Sequence, residues 1–103
     1  MQEVDINKLV YNLSNLNKNI PNDKIIVGKI DKLYIDYKYD QLDLSRIECN
    51  IIYYFNQKGK SIKNHKLPNS LKELHCWNNK LTSLPEPLNV SILLECQNNL
   101  FKF

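Results

Sequence analysis

The chain has 103 residues, of which 43% are apolar and 24% charged, with a formal net charge of +3. That length holds one domain spanning 1–103 and excludes the two-domain enzyme folds, while the apolar share is too high for a disordered tail. No stretch approaches the roughly 18–20 apolar residues of a membrane-spanning helix, and the single Arg and two Gly exclude a glycine-rich phosphate loop and leave little for bidentate phosphate reading.

The composition also reflects a coding bias. Fifteen Asn, 13 Lys and 11 Ile stand against no Ala, the signature of AT-rich coding sequence, so runs of Asn or Lys carry less weight than usual. The start, Met-Gln-Glu-Val-Asp, lacks the basic and apolar regions of a secretory signal. Cys49, Cys76 and Cys96 are odd in number and far apart, which argues against a disulfide framework and gives an intracellular, cytoplasmic expectation.

In residues 1–21, Ile6, Leu9, Val10, Leu13 and Leu16 recur at three- and four-residue steps. This stripe predicts a helix of about 13 residues with Asp5 as N-cap and Pro21 as the stop. It lacks the basic polar face of a membrane-surface helix. Residues 22–66 read as extended chain: Tyr34, Tyr37 and Tyr39 alternate with Ile35 and Lys38 as a strand would. Residues 1–52 carry a net charge of about −1 and residues 53–103 about +4. The excess gathers at Lys58, Lys60, Lys63 and Lys66 around His65, a candidate polyanion or nucleic-acid patch. A solvated loop explains it more simply, because no arginine stands beside the lysines.

Residues 67–103 repeat. Leu74 matches Leu94, Cys76 matches Cys96, Asn78-Asn79 matches Asn98-Asn99 and Leu81 matches Phe101, all at an offset of 20 residues. In extended chain, alternate side chains share a face, so Leu74 and Cys76 point one way and Glu73, His75 and Trp77 the other. One coil cannot bury such an apolar edge alone; stacking the next coil beside it does. Leu74 and Leu94, and Cys76 and Cys96, then become rungs of an interior ladder. Asn79 and Asn99 fall where the chain bends out of the strand, and their amides can pair backbone groups that the bend leaves open.

This pattern resembles the leucine-rich repeat, L-x-x-L-x-L/C-x-x-N-x-L. Leu67–Pro85 is especially similar to the short Leu-Pro-flanked repeats of bacterial effectors and of gene families in large DNA viruses and AT-rich protists. The resemblance covers 67–103 as two repeats, the second with Ser91 in place of the leading Leu. It implies a buried Asn ladder at Asn79 and Asn99, and a concave strand face that binds partners. Projected backwards it weakens: Ile51-x-x-Tyr54-x-Asn56 and Ile30-x-x-Leu33-x-Ile35 align, but Asn56 replaces an apolar residue and Gly59 stands where Asn belongs. Shifting to Ile52-x-x-Phe55 restores the core positions only. Residues 22–66 are therefore either degenerate repeats or a separate small sheet.

The expected fold is a small α/β leucine-rich-repeat-like solenoid of parallel strands with the N-terminal helix as its cap. Catalytic constellations are poor. His75 and Cys76 point to opposite faces of a strand, Cys49, His65, His75, Cys76 and Cys96 lack close metal-ligand spacing, and neither cofactor nor metal is implied. The expected activity is non-catalytic protein–protein interaction through Glu73, His75, Trp77, Leu93, Glu95 and Gln97, with Trp77 as the anchor. Polyanion binding by Lys58, Lys60, Lys63 and Lys66, and self-association through the C-terminal end, are the rival expectations.

Overall fold

The computed structural model describes residues 3–9, 15–16, 20, 24–59, 61–77, 79–85, 93–96 and 99. Eight short strands, β1 (Glu3–Asp5), β2 (Asn15–Leu16), β3 (Ile25–Lys29), β4 (Lys32–Ile35), β5 (Asp43–Glu48), β6 (Ile51–Tyr54), β7 (Glu73–His75) and β8 (Leu93–Glu95), form two parallel sheets. The smaller sheet runs β1-β3-β5 and the larger β2-β4-β6-β7-β8. The chain alternates between the two from β1 to β6, after which an isolated parallel bridge of Lys66 to Asp43 continues the smaller sheet and β7 and β8 extend the larger, so the fold is a parallel β-solenoid with its core enclosed between the sheets. Among the described residues no helix is long and apolar enough to cross a membrane.

The expected capping helix, and with it the α/β class, is not supported. Ile6–Leu9 make a single helical turn, whereas Glu3–Asp5 pair parallel with Ile25–Val27 and Asn15–Leu16 pair with Tyr34–Ile35. The N-terminal segment is thus a coil of the solenoid. The apolar spacing misled because Ile6 and Leu16 are indeed both buried, but as corner and strand residues of one coil, and burial at both ends of a segment does not fix its backbone. Val10 and Leu13 lie outside the described residues. Gly28 explains how the segment closes down: its φ is 137°, and a Cβ there would overlap Ile6 Cγ2.

Of residues 22–66, the described ones, 24–59 and 61–66, belong to the solenoid. Leu33, Ile52, Leu74 and Leu94 pair successively across β4, β6, β7 and β8, and Ile35 pairs with Tyr54 two residues on. The true middle repeat is therefore Cys49-x-x-Ile52-x-Tyr54, two residues before the expected window. Phe55, a core residue in the shifted alternative, is 37% exposed. Asn56 is no inward residue either: it takes φ 58° and turns the chain out of β6, a conformation that asparagine tolerates.

Moving the frame by two residues uncovers the missing amide. Gln57, fully buried, donates from Nε2 to the carbonyls of Tyr37 and Phe55, both at 2.8 Å. Asn79 does the same one coil later, donating to Tyr54 and Cys76 carbonyls at 2.8 and 2.9 Å, while its Oδ1 accepts the Gln57 N–H at 3.0 Å. Asn99 repeats it again, donating to Cys76 and Cys96 carbonyls at 2.7 and 3.0 Å and accepting the Leu81 N–H at 3.1 Å. Each amide ties its own coil to the one before.

Cys76 and Cys96 stand one coil apart with Cα atoms 4.6 Å apart, and they form a disulfide. The expectation of unpaired cysteines fails here because stacking in register brings together thiols that are 20 residues apart in the chain. Cys49 remains free and buried, taking the place of Leu71 in the preceding coil. Leu94 is 45% exposed although it pairs with buried Leu74, since β8 is the last strand of the larger sheet.

A second polar element crosses the core. His65, 2% exposed, shares a hydrogen bond with the Tyr54 hydroxyl through Nδ1 at 2.9 Å and one with the Tyr39 carbonyl through Nε2 at 2.8 Å. The carbonyl can only accept, so Nε2 carries the proton and Nδ1 accepts from the Tyr54 O–H. Burial holds the His65 pKa below its ordinary value and pushes the Tyr54 phenol up.

Two predictions follow from this packing. Asn79→Ala strips several hydrogen bonds from a buried corner and should cost about 2–4 kcal/mol of unfolding free energy, read by denaturant titration. His65 binds a proton more readily when unfolded, so its contribution is present above the ordinary imidazole pKa of about 6.5 and is lost as pH falls below that value. The stability gap between wild type and His65→Gln should accordingly shrink from pH 7.5 to pH 5. Asp43, held below the usual carboxylate range chiefly by the Ser45 hydroxyl, acts only at still lower pH.

Candidate functional site

The same register that stacks the core stacks the outward side chains of the larger sheet. Tyr34 pairs with Tyr53, and Tyr53 with His75. The Tyr34 and Tyr53 rings stack with centroids 5.1 Å apart and planes 20° apart, and Tyr53 and His75 at 4.5 Å and 12°. A second row, two residues further along each strand, holds Phe55 and Trp77. Phe55 lies parallel to Tyr53 at 6.2 Å and 3°. Trp77 turns its plane across the others, at 67° to Tyr53, 65° to Phe55 and 74° to His75.

Face-to-face stacking along the solenoid axis has a consequence for recognition. The faces of Tyr53 are occupied by its neighbours, so solvent meets ring edges and hydroxyls. Aromatic edges carry partial positive charge. Tyr53 is also held from both sides, between Tyr34 and His75, which removes much of the rotamer freedom that a binding surface would otherwise lose on complex formation.

His75 is the most enclosed outward residue, 8% exposed. Its Nε2 lies 3.2 Å from Glu73 Oε1 and its Nδ1 3.5 Å from Glu95 Oε2. The carboxylates are half-open, with side chains 37% and 47% exposed. Among the described residues neither pairs with a lysine or arginine.

Of the residues singled out by sequence, Glu73, His75, Trp77 and Glu95 therefore come together. Leu93 lies on β8, with only its backbone described, and Gln97 lies outside the described residues. Leu74, Cys76 and Asn79 are buried, Cys96 packs partly buried against the core, and Asn99 is half-buried. Tyr34, Tyr53 and Phe55 were missed. The misaligned middle window hid them: with Ile52 and Tyr54 set inward, Tyr53 and Phe55 must face out, and the alternation Tyr34-Ile35 sets Tyr34 beside them.

The lysine cluster is built differently. Lys58, Lys63 and Lys66 are exposed, and Lys60 lies outside the described residues. His65, at the centre of the cluster in sequence, points into the core. Lys66 is engaged in the small sheet through its backbone, accepting from Leu44 and donating to Leu42 at 2.8 Å each. The one arginine is elsewhere, ion-paired to Glu3.

No protein-family model, curated protein or solved structure matches the chain.

Tyr53→Ala removes the ring held between Tyr34 and His75 and should cost about 2–3 kcal/mol while collapsing the near-ultraviolet circular dichroism of the stack. Phe55→Ser, at an exposed position, should cost less than about 1 kcal/mol.

Proposed function

We propose that the chain is a non-catalytic recognition module of leucine-rich-repeat type, whose larger-sheet face docks a protein partner. The observation that carries this reading is the joined aromatic cluster of Tyr34, Tyr53, Phe55, His75 and Trp77 on the outward side of three successive parallel coils. Large rigid aromatics concentrate binding energy at interfaces, and here Phe55 and half-buried Trp77 retain surface to offer. Glu73, Glu95 and Lys32 supply a polar rim.

The mechanism is passive. Stacked strands order the surface before a partner arrives, so association loses little side-chain entropy beyond that of the encounter itself. Polyanion binding draws no comparable support, because the lysines flank a histidine that faces inward.

Affinity capture from the native cell, comparing wild type with Trp77→Ala, tests this reading. Trp77→Ala should lose the partners that wild type retains, with a melting temperature within about 8 °C of wild type, corresponding to roughly 1 kcal/mol for a domain of this size. A much larger drop would make Trp77 part of the core and remove it as an anchor. Equal recovery of partners by both proteins would reject the face as the docking site.

A further inference from the structure

Cys76 and Cys96 stand where the register of the larger sheet puts them. They follow the paired residues Tyr53–His75 and His75–Glu95 at the exits of β7 and β8, in the inward column that Ile35 and Tyr54 occupy in earlier coils. Their Cα atoms are 4.6 Å apart, near the ordinary spacing of neighbouring strands, about 4.8 Å. The sheet therefore brings the sulfurs together with or without a bond. Reduced to thiols, the pair still fits the column as small apolar side chains, so the fold accommodates both redox states.

The two sulfurs differ in access. Cys76 is fully buried, whereas Cys96 is only partly buried and follows Leu94 and Glu95, both exposed. An attacking thiolate thus has its approach on the Cys96 side. Cys49 takes no part: it is buried ahead of β6 and its burial pushes the thiol up to about 11, which leaves little reactive thiolate.

What the bond controls is the last coil. Besides the disulfide, this coil is fastened by the β7–β8 pairing, by the Cys76 N–H donated to the Glu95 carbonyl at 2.9 Å, and by Asn99, whose Oδ1 accepts the Leu81 N–H at 3.1 Å. Its inward residue Leu94 is 45% exposed, while Leu33, Ile52 and Leu74 of the same column are wholly buried, so this rung hides less apolar surface than the others. An element with little buried surface opens locally at low cost, and a covalent tie across the opening suppresses it.

We propose that Cys76 and Cys96 form a redox latch on the last coil: as a disulfide they hold it docked, and as two thiols they let it open locally while the earlier coils stay folded. Opening consumes two molecules of a small thiol. The first attacks Cys96 Sγ as its thiolate and expels the Cys76 sulfur, which takes up a proton; the second attacks the mixed disulfide, freeing Cys96 as a thiol and leaving a small-molecule disulfide. Closing is the reverse, with the small-molecule disulfide as oxidant. When the coil opens, Glu95 withdraws from His75 and Leu74 loses its neighbour Leu94, so the outward face ends at β7. The latch does not depend on the docking reading above.

The test places the full-length protein, without denaturant and at neutral pH, in oxidised and then in reduced glutathione. Alkylation followed by mass spectrometry identifies the free thiols, and amide hydrogen exchange reads the coils. Reduction should free Cys76 and Cys96 and speed exchange of the Leu81 and Cys76 amides about tenfold or more, while the Gln57 amide, held by Asn79 Oδ1, changes less than about twofold. Return to oxidised glutathione should restore the slow exchange. Cys96→Ala should behave like the reduced protein in either buffer; the wild-type comparison decides alone if this variant does not fold.

A bond that glutathione opens only after denaturation is a permanent staple, and one that oxidised glutathione cannot re-form is no latch. Equal acceleration at Gln57 makes the bond a support of the whole fold, and unchanged exchange at Leu81 and Cys76 after reduction means that it fastens nothing. Any of these four results overturns the inference.

Discussion

The buried amide ladder is the constraint on which the rest of this structure depends. A short coil of chain encloses too little apolar surface to be stable alone, and its corners leave backbone groups that no strand can pair. Gln57, Asn79 and Asn99 meet both needs, each bonding a carbonyl of the preceding coil as well as one of its own. Register is thereby fixed at the corner, and the strands that precede each amide inherit it.

That inheritance explains how coils of unequal length stack. The residues at the Leu33, Ile52, Leu74 and Leu94 positions are separated by 19, 22 and 20 residues, yet they align in one column. The slack is taken up in the corners and in the smaller sheet, where the pairing of β3 with β5 shifts register between Ile25 and Val27. A bulge of this kind adds a residue to one strand without moving the next rung. The Cys76–Cys96 disulfide joins the exits of β7 and β8 at the end of the larger sheet, where Leu94 is only partly covered.

The outward face follows from the same alignment. Once inward columns are in register, outward columns must be too, and aromatic residues at equivalent positions stack into continuous rows. Tyr34, Tyr53 and His75 support one another's orientation, and Trp77 lies across them. His75 lies between two carboxylates, with Nε2 3.2 Å from Glu73 Oε1 and Nδ1 3.5 Å from Glu95 Oε2.

The sequence by itself determined the parallel stacking of the last two coils, since the recurrence of Leu74, Cys76 and Asn79 at a fixed offset allows few other ways to bury them. It also determined the structural role of Asn79 and Asn99 and the outward placing of Glu73, His75, Trp77 and Glu95. The tertiary structure alone decided the earlier coils. There Gln57 stands in for Asn, Cys49 for Leu and Tyr54 for Cys, so that letter-by-letter matching settled two residues away from the true frame. It alone decided that the N-terminal stripe coils into the solenoid, because Ile6 and Leu16 satisfy a helical spacing and a coil equally well until Gly28 and the β4 edge give them something to pack against. It alone paired two cysteines distant in the chain. Each of these outcomes rests on contacts between coils, and contacts of that range are written in no single stretch of sequence.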